Sequence, residues 1–307
     1  MEVGYVGVEY GEVGHVAVRL YGDLADLAAT GRPAPHHQVP VAAPRAVKDV
    51  IESLGVPHTE VDLVLVGGSS VAFAQRVIPG DRVSVYPQFA DLDVATVSLV
   101  RPPPLPEPRF LLDVHLGALA NRLRLLGLDA AYRNDAGDAE LAATAAADER
   151  ALLTRDRGLL MRANVVHGQL LRSHHPDSQA LEVVRRFDLF DAMAPFSRCP
   201  RCGGSLAPVA KAAIVDRLQP GTAATYDTFT RCAGCQQVYW PGAHHDRLAA
   251  FVEAILAAGA SARVADPLEG GQRGKRKSIA GVLSSGSRKD CTPGAGEALP
   301  TEKAAAV

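Results

Sequence analysis

Phe110-Leu111-Leu112-Asp113-Val114-His115-Leu116-Gly117 opens the part of the chain whose reading decides the fold. A short apolar run ends in an acid. From His115 to Leu126, the residues Leu116, Leu119, Ala120, Leu123 and Leu126 recur on one helical face. Gly127 ends that helix. Ala130-Ala131-Tyr132 reads as a second strand and Ala139 to Ala147 as an Ala-rich helix. Ala151-Leu152-Leu153-Thr154 is a third strand, Gly158 to Arg162 a short helix, and Asn164 to Val166 a fourth strand. Ser178 to Phe187 makes the next helix. Strand and helix in alternation predict an α/β domain over 109–195, a parallel sheet with helices on both faces.

In an open parallel sheet, ligands sit outside the carboxyl ends of the strands. Asp113 follows the first strand directly. Asp156 stands two residues past the third. Asp138 begins the helix after the second strand, with Glu140 just inside it. These acids are expected to meet on one edge. Folding does not need them there, and like charges repel at short range. Divalent cations relieve that repulsion, and oxygen-rich sites suit Mg²⁺ or Mn²⁺. A pair of such ions activates water and stabilises a leaving oxygen in phosphodiester cleavage. Singly, Asp138 and Asp156 also read as helix caps.

Arg155 and Arg157 flank Asp156. Their guanidinium forks match phosphate oxygens, or they pair with the acids themselves. Arg122 and Arg124 fall on the polar side of the first helix, a solvated face that can also serve as a basic rim for RNA. Asp177 is the nearest further acid late in the domain, at a position that equally suits a helix cap. His115 reads as an orienting or capping residue. His174 and His175, adjacent in a loop, are poorly placed to share one ion. No G-x-S-x-G, P-loop or G-x-G-x-x-G stands at a strand-to-helix junction, which excludes serine hydrolases, NTPases and dinucleotide enzymes.

Upstream, Arg101-Pro102-Pro103-Pro104-Leu105-Pro106-Glu107-Pro108 is a stiff linker over 101–108. Before it, residues 15–90 read as a small α+β roll. Val16 to Leu20 is a strand, Arg45 to Leu54 a helix stopped by Gly55, and Leu63 to Val66 a strand. Gly67-Gly68 is a turn, Val71 to Phe73 a third strand, and Arg82 to Tyr86 a last one.

Downstream, Cys199-Pro200-Arg201-Cys202 and Cys232-Ala233-Gly234-Cys235 form two C-x-x-C knuckles, and 29 residues, 203–231, separate them. Two thiolate pairs complete a four-sulfur site over 196–258. A closed four-cysteine zinc site has no open position, so the zinc is expected to be structural. Tyr239, Trp240 and His245 either contact RNA bases or pack within the ribbon. Cys291 has no evident partner.

Length and composition agree. The chain has 307 residues, 47% hydrophobic and 21% charged, which suits a folded chain of about two domains. No run is long and apolar enough for a membrane span. No secretory signal is read at the start, and four paired cysteines suit a reducing cytoplasm. The net charge of -2 argues against a protein coated in positive charge. Residues 268–307 are rich in Gly, Ser, Lys and Ala, with a basic cluster at 274–278, and are expected to be disordered.

Two resemblances follow from these residues. Val18-Arg19-Leu20-Tyr21, Leu65-Val66-Gly67-Gly68 and Pro79-Gly80-Asp81-Arg82-Val83-Ser84-Val85-Tyr86-Pro87 resemble the ubiquitin-like β-grasp fold of the sulfur-carrier proteins. Those carriers end in a free Gly-Gly, whereas Gly67-Gly68 is internal, so a structural or docking role is expected, with a possible protein partner. The stretches Phe110–Gly117, Leu119–Gly127, Arg133-Asn134-Asp135, Asp138-Ala139-Glu140-Leu141 and Leu152–Leu160 resemble the PIN-like Mut-seven-C RNase family, named after the C-terminal domain of the mutator-seven exonuclease. The resemblance covers about Arg109 to Asp246. It implies metal-dependent RNA cleavage by Asp113, Asp138 and Asp156, with Glu140 as a fourth acid, beside a zinc ribbon. Tyr226-Asp227-Thr228-Phe229 and Val238-Tyr239-Trp240 resemble the same family's ribbon, although Thr230 stands where an aromatic is expected. The competing readings are an RNA- or ribosome-binding adaptor without catalysis, and a sulfur-transfer or docking accessory.

Overall fold

The computed structural model describes residues 14–28, 34–89, 92–242, 245–264 and 277–278. In the first strand, β1 (His15–Leu20), Val16, Val18 and Leu20 are buried and their neighbours are not. That period of two is what a sheet with one covered face imposes. It is followed by β2 (His36–Pro40), β3 (Arg45–Ala46), α1 (Val47–Ser53), β4 (Leu63–Val66), β5 (Ser69–Ser70), β6 (Arg76–Val77) and β7 (Arg82–Tyr86). The main sheet runs β2-β1-β7-β4-β5. Its central pair, β1 and β7, is parallel and the other pairs are antiparallel. Val47, Val50 and Ile51 of α1 are buried in the core. This is the ubiquitin-like arrangement.

Gly67 and Gly68 form the β4–β5 turn, with φ of 57° and 91°. Two successive positive φ angles are what a two-residue hairpin of this kind demands, and glycine supplies them without strain. Because the turn uses only two residues, the strand resumes at Ser69–Ser70, not at Val71–Phe73 as expected from hydrophobicity. The helix expected over Arg45–Leu54 begins only at Val47, because Arg45 and Ala46 pair with β6. β2 is not legible in the sequence, since its outward residues are His and Gln.

The next unit contains β8 (Leu92–Asp93), β9 (Arg109–Leu112), α2 (Gly117–Leu125), β10 (Asp129–Tyr132) and α3 (Asp138–Ala147). It continues with β11 (Ala151–Thr154), α4 (Arg157–Leu160), β12 (Gly168–Leu170) and α5 (Pro176–Arg186). All pairs in the sheet β10-β9-β11-β12 are parallel. Successive residues face opposite layers. Leu111 and Leu152 belong to one apolar cluster, while Phe110, Leu112, Ala151 and Leu153 belong to another. Gly127 (φ 84°) ends α2: its amide reaches Arg124 O at 2.9 Å and that of Leu128 reaches Leu123 O at 2.9 Å, a Schellman cap.

The fourth strand is Gly168–Leu170, not Asn164–Val166. Gly168 carries little strand propensity, but a Cβ there would lie 2.7 Å from Leu160 Cδ2 and 3.1 Å from Leu152 O. Close packing therefore selects glycine where propensity argues against a strand.

The ubiquitin-like unit and the parallel sheet share one core. Val47, Val50 and Ile51 fall in the same cluster as Leu141, Leu152 and Leu160. Polar ties reinforce it. His58 Nε2 donates to Val165 O at 2.9 Å, Leu170 N to Glu60 Oε1 at 2.8 Å, and Arg186 Nη2 to Thr59 O at 2.9 Å.

The last folded part holds β13 (Leu206–Pro208), α6 (Pro220–Thr225), β14 (Thr230–Cys232) and β15 (Val238–Tyr239), with an antiparallel sheet β13-β14-β15. Then α7 (His245–Val264), which the sequence reading did not anticipate, places Phe251, Val252 and Ile255 in the cluster that α2 and α5 build. The two-residue β16 (Lys277–Ser278) pairs in parallel with β8. The rest of 268–307, Cys291 included, lies outside the described residues. Among the described residues, no helix is long and apolar enough to cross a membrane.

Candidate active site and zinc centre

Asp113 sits at the carboxyl end of β9, where its amide donates to Leu153 O at 3.0 Å and carries the β9–β11 pairing one step further. Its side chain is buried and its Oδ2 accepts the Thr154 hydroxyl at 2.6 Å. The same Thr154 oxygen accepts the Asp156 amide at 2.9 Å. Asp156 Oδ1 in turn accepts the Gly158 amide at 2.7 Å and caps α4. Asp156 is therefore a helix cap and a wall of the same cavity that Asp113 lines. That cavity, of about 610 Å³, also includes His115, Leu116, Arg155 and Arg157.

Asp138 is not among the residues of this cavity. It is exposed at the first turn of α3, where Gly137 occupies the N-cap. Glu140 Oε1 accepts Arg133 Nη1 at 2.6 Å. The structure thus brings Asp113 and Asp156 together and leaves Asp138 and Glu140 at a neighbouring helix start.

The arginines divide. Arg155 lines the cavity and donates to His174 Nε2 at 3.0 Å. Arg157 also lines it, but its Nη1 donates to Leu27 O of the ubiquitin-like unit at 2.6 Å. Arg122 Nε meets Asp177 Oδ1 at 2.5 Å and its guanidinium lies 5.1 Å above the Phe251 ring. Asp177 lies in the first turn of α5, whose N-cap is His175. Both histidines of the 174–175 pair are thus engaged by protein groups.

Arg124 departs most from the sequence expectation of a solvated face. It is 4% exposed and donates to Ala130 O at 2.8 Å, Pro200 O at 3.1 Å and Arg201 O at 3.0 Å. A buried cation is tolerated only when its donors are matched, and backbone carbonyls match them here. The first knuckle is thereby fastened to α2 and β10.

The four knuckle cysteines converge. Their sulfurs lie within 4.8 Å of one another, and among the described residues they are the one group of three or more His, Cys, Asp or Glu brought so close. Cys199 and Cys235 are 3.6 Å apart and Cys202 and Cys232 3.4 Å. A tetrahedral ion with sulfurs at about 2.3 Å requires S–S spacings of about 3.8 Å. The Gly204 amide lowers the Cys202 thiol to about 6. Four thiols this close resist ionising together, and a divalent cation among them lifts that restraint. The donor set fits a structural zinc. Tyr239 lies with its hydroxyl 3.0 Å from Cys199 Sγ. Phe229, Ile214 and Val238 make a small core beneath, with Trp240 6.3 Å from Phe229. His245 stacks on Phe196 at 5.3 Å.

Residues 13–93 match the family model for the Mut7-C ubiquitin domain, and residues 108–252 match that for the Mut7-C RNAse domain. Over these residues the chain is similar to the Mut7-C RNAse family. The order of its two domains is the one expected from the sequence. The Mut7-C RNAse domain holds the Asp113–Asp156 cavity, and its match extends through the four cysteines into α7. The small archaeal modifier protein 1 of H. volcanii is similar at 21% identity, over 25% of this chain and 99% of that one, with a TM-score of 0.21. No curated protein matches the chain.

Thr154, Gly117 and Tyr132 are site residues that the sequence reading passed over. Tyr132 donates its hydroxyl to Val114 O at 2.8 Å, beside Asp113, and a Cβ at position 117 would lie 2.8 Å from that hydroxyl. The one available signal was position: each stands at a strand end or a helix start.

Proposed function

We propose that the chain hydrolyses RNA phosphodiester bonds with Mg²⁺ or Mn²⁺ held at Asp113 and Asp156, with Asp138 and Glu140, at the neighbouring start of α3, as acids of the rim. One observation carries the reading: two carboxylates at the ends of adjacent parallel strands, tied through one hydroxyl, share a cavity with Arg155. One oxygen of each carboxylate takes a protein donor, and the other is available to a hard cation. The cation, when bound, acidifies a water and offsets charge on the leaving oxygen. Thr154 sets the spacing of Asp113 and Asp156, the two acids that would hold the cation. Arg155, steadied by His174, binds a phosphate oxygen. The zinc ribbon helps hold the strand, and a reducing cytoplasm keeps its thiolates intact.

The test is cleavage of end-labelled single-stranded and structured RNAs in Mn²⁺. Wild type is expected to cut, and Asp113→Asn and Asp156→Asn to lose cutting while melting at the same temperature within a few degrees. Unchanged cleavage in both variants would sink the mechanism. RNA retention without metal-dependent products would favour a binding adaptor.

A further inference from the structure

A second cavity, of about 510 Å³, lies between α2, β10 and the first zinc knuckle. Gly117, Asn121, Arg124, Tyr132, Arg201 and Tyr239 line it. We infer that it is a pocket for one unpaired nucleobase of the strand whose neighbouring phosphate lies at Asp113 and Asp156; this rests on the nuclease reading above.

Three observations carry it. The first is adjacency: Leu116 lines the acid cavity and the next residue, Gly117, lines this one. One α2 start therefore separates the two, and a strand can lie across both. The second is chemistry. Two phenol rings offer stacking faces, Asn121 an exposed carboxamide for base edges, and Arg201 an exposed guanidinium for phosphate. Such pairing of aromatic faces with amide and cationic groups recognises splayed-out bases, whose edges are free only in single strands. The size falls within the range of small-ligand sites.

The third is rigidity. Tyr132 is fixed through Val114 O, Tyr239 beside Cys199 Sγ, and the knuckle backbone by Arg124. The walls are set before any ligand arrives, so little ordering is lost on binding. The first cysteine knuckle thus shapes one wall of the pocket, and zinc held by the four cysteines would stiffen that wall.

The experiment measures binding, not turnover. A labelled RNA hexamer is titrated by fluorescence anisotropy into the full zinc-loaded chain carrying Asp113→Asn, with no Mg²⁺ or Mn²⁺ added. Each base is replaced in turn by an abasic unit. One position is expected to weaken binding about tenfold. Adding Asn121→Ala should weaken the intact hexamer and erase the difference between it and that abasic form, with zinc content unchanged. Arg201→Ala should weaken both forms alike. If every abasic hexamer binds like the intact one, or if Asn121→Ala leaves the difference in place, the pocket assignment is overturned. RNA cleavage by the wild type with no abasic effect overturns the pocket and leaves the nuclease reading standing. An abasic effect in a chain that cuts nothing supports the pocket and removes the nuclease.

Discussion

Thr154 binds Asp113: its hydroxyl donates to the carboxylate at 2.6 Å while its oxygen accepts the Asp156 amide at 2.9 Å. Thr154 is fully buried. One hydroxyl therefore sets the spacing of two acids that follow different strands. Thr154→Val keeps the shape and removes both bonds. It is expected to lower stability by about 1–3 kcal/mol, the range for a buried group left without its partner, and to cut RNA cleavage more than RNA binding. Thr154→Ser should restore most of the rate. Equal kinetics for Val and Ser would show that the hydroxyl does not position the acids.

Arg124 holds the zinc knuckle to α2 by two carbonyls of the knuckle itself. Arg124→Met fills the space and leaves those carbonyls, with Ala130 O, without their donors. A loss of about 1–3 kcal/mol or more is expected, together with faster zinc release to a chelator. Melting curves and a colorimetric zinc assay check both. Release at the wild-type rate would mean that the ribbon stands alone.

Glu60 is buried where the two N-terminal domains meet and accepts Leu170 N–H. Burial pushes its carboxyl above the ordinary glutamate value of 4.5. The folded chain thus holds the proton more tightly than the unfolded chain. Its contribution is fully present below the unfolded pKa and is lost as pH rises through the folded one. Glu60→Gln, whose amide oxygen can still accept, should raise the melting temperature at pH 8 and change it little at pH 4. A gain that is equal at both pH values would contradict the sign.

Asp177 pairs with Arg122, both part-exposed on the surface. An ion pair of this kind contributes about 0–1 kcal/mol. Asp177→Asn is expected to leave cleavage within about twofold of wild type and stability nearly unchanged. A collapse of the rate in Mn²⁺ would make Asp177 a member of the acid set.

Sequence periodicity revealed the parallel sheet because its strands are apolar and its helices have one apolar stripe. Phe110–Leu112 and Ala151–Thr154 lie where the pattern put them. It failed at Gly168–Leu170, where packing against Leu160 selects a glycine, and at α7, where Phe251 and Ile255 sit in an Ala-rich run that lacks a clear face. The acids were legible by their place at strand ends, but not their partners. Arg124 looked solvated because its acceptors are carbonyls up to 77 residues away, which no local pattern encodes. The cysteines were legible because a C-x-x-C pair brings its own local geometry.

The apolar cluster that joins Val50 and Ile51 to Leu152 and Leu160 has a thermodynamic consequence. The ubiquitin-like domain is not a tethered passenger. Its removal would uncover the Leu152 and Leu160 side of the parallel sheet, so the two domains are expected to melt together in a single calorimetric transition. A sulfur carrier works by leaving its partner after each delivery. The ubiquitin-like domain here is instead built into its neighbour's interior through Val50, Ile51, Leu152 and Leu160.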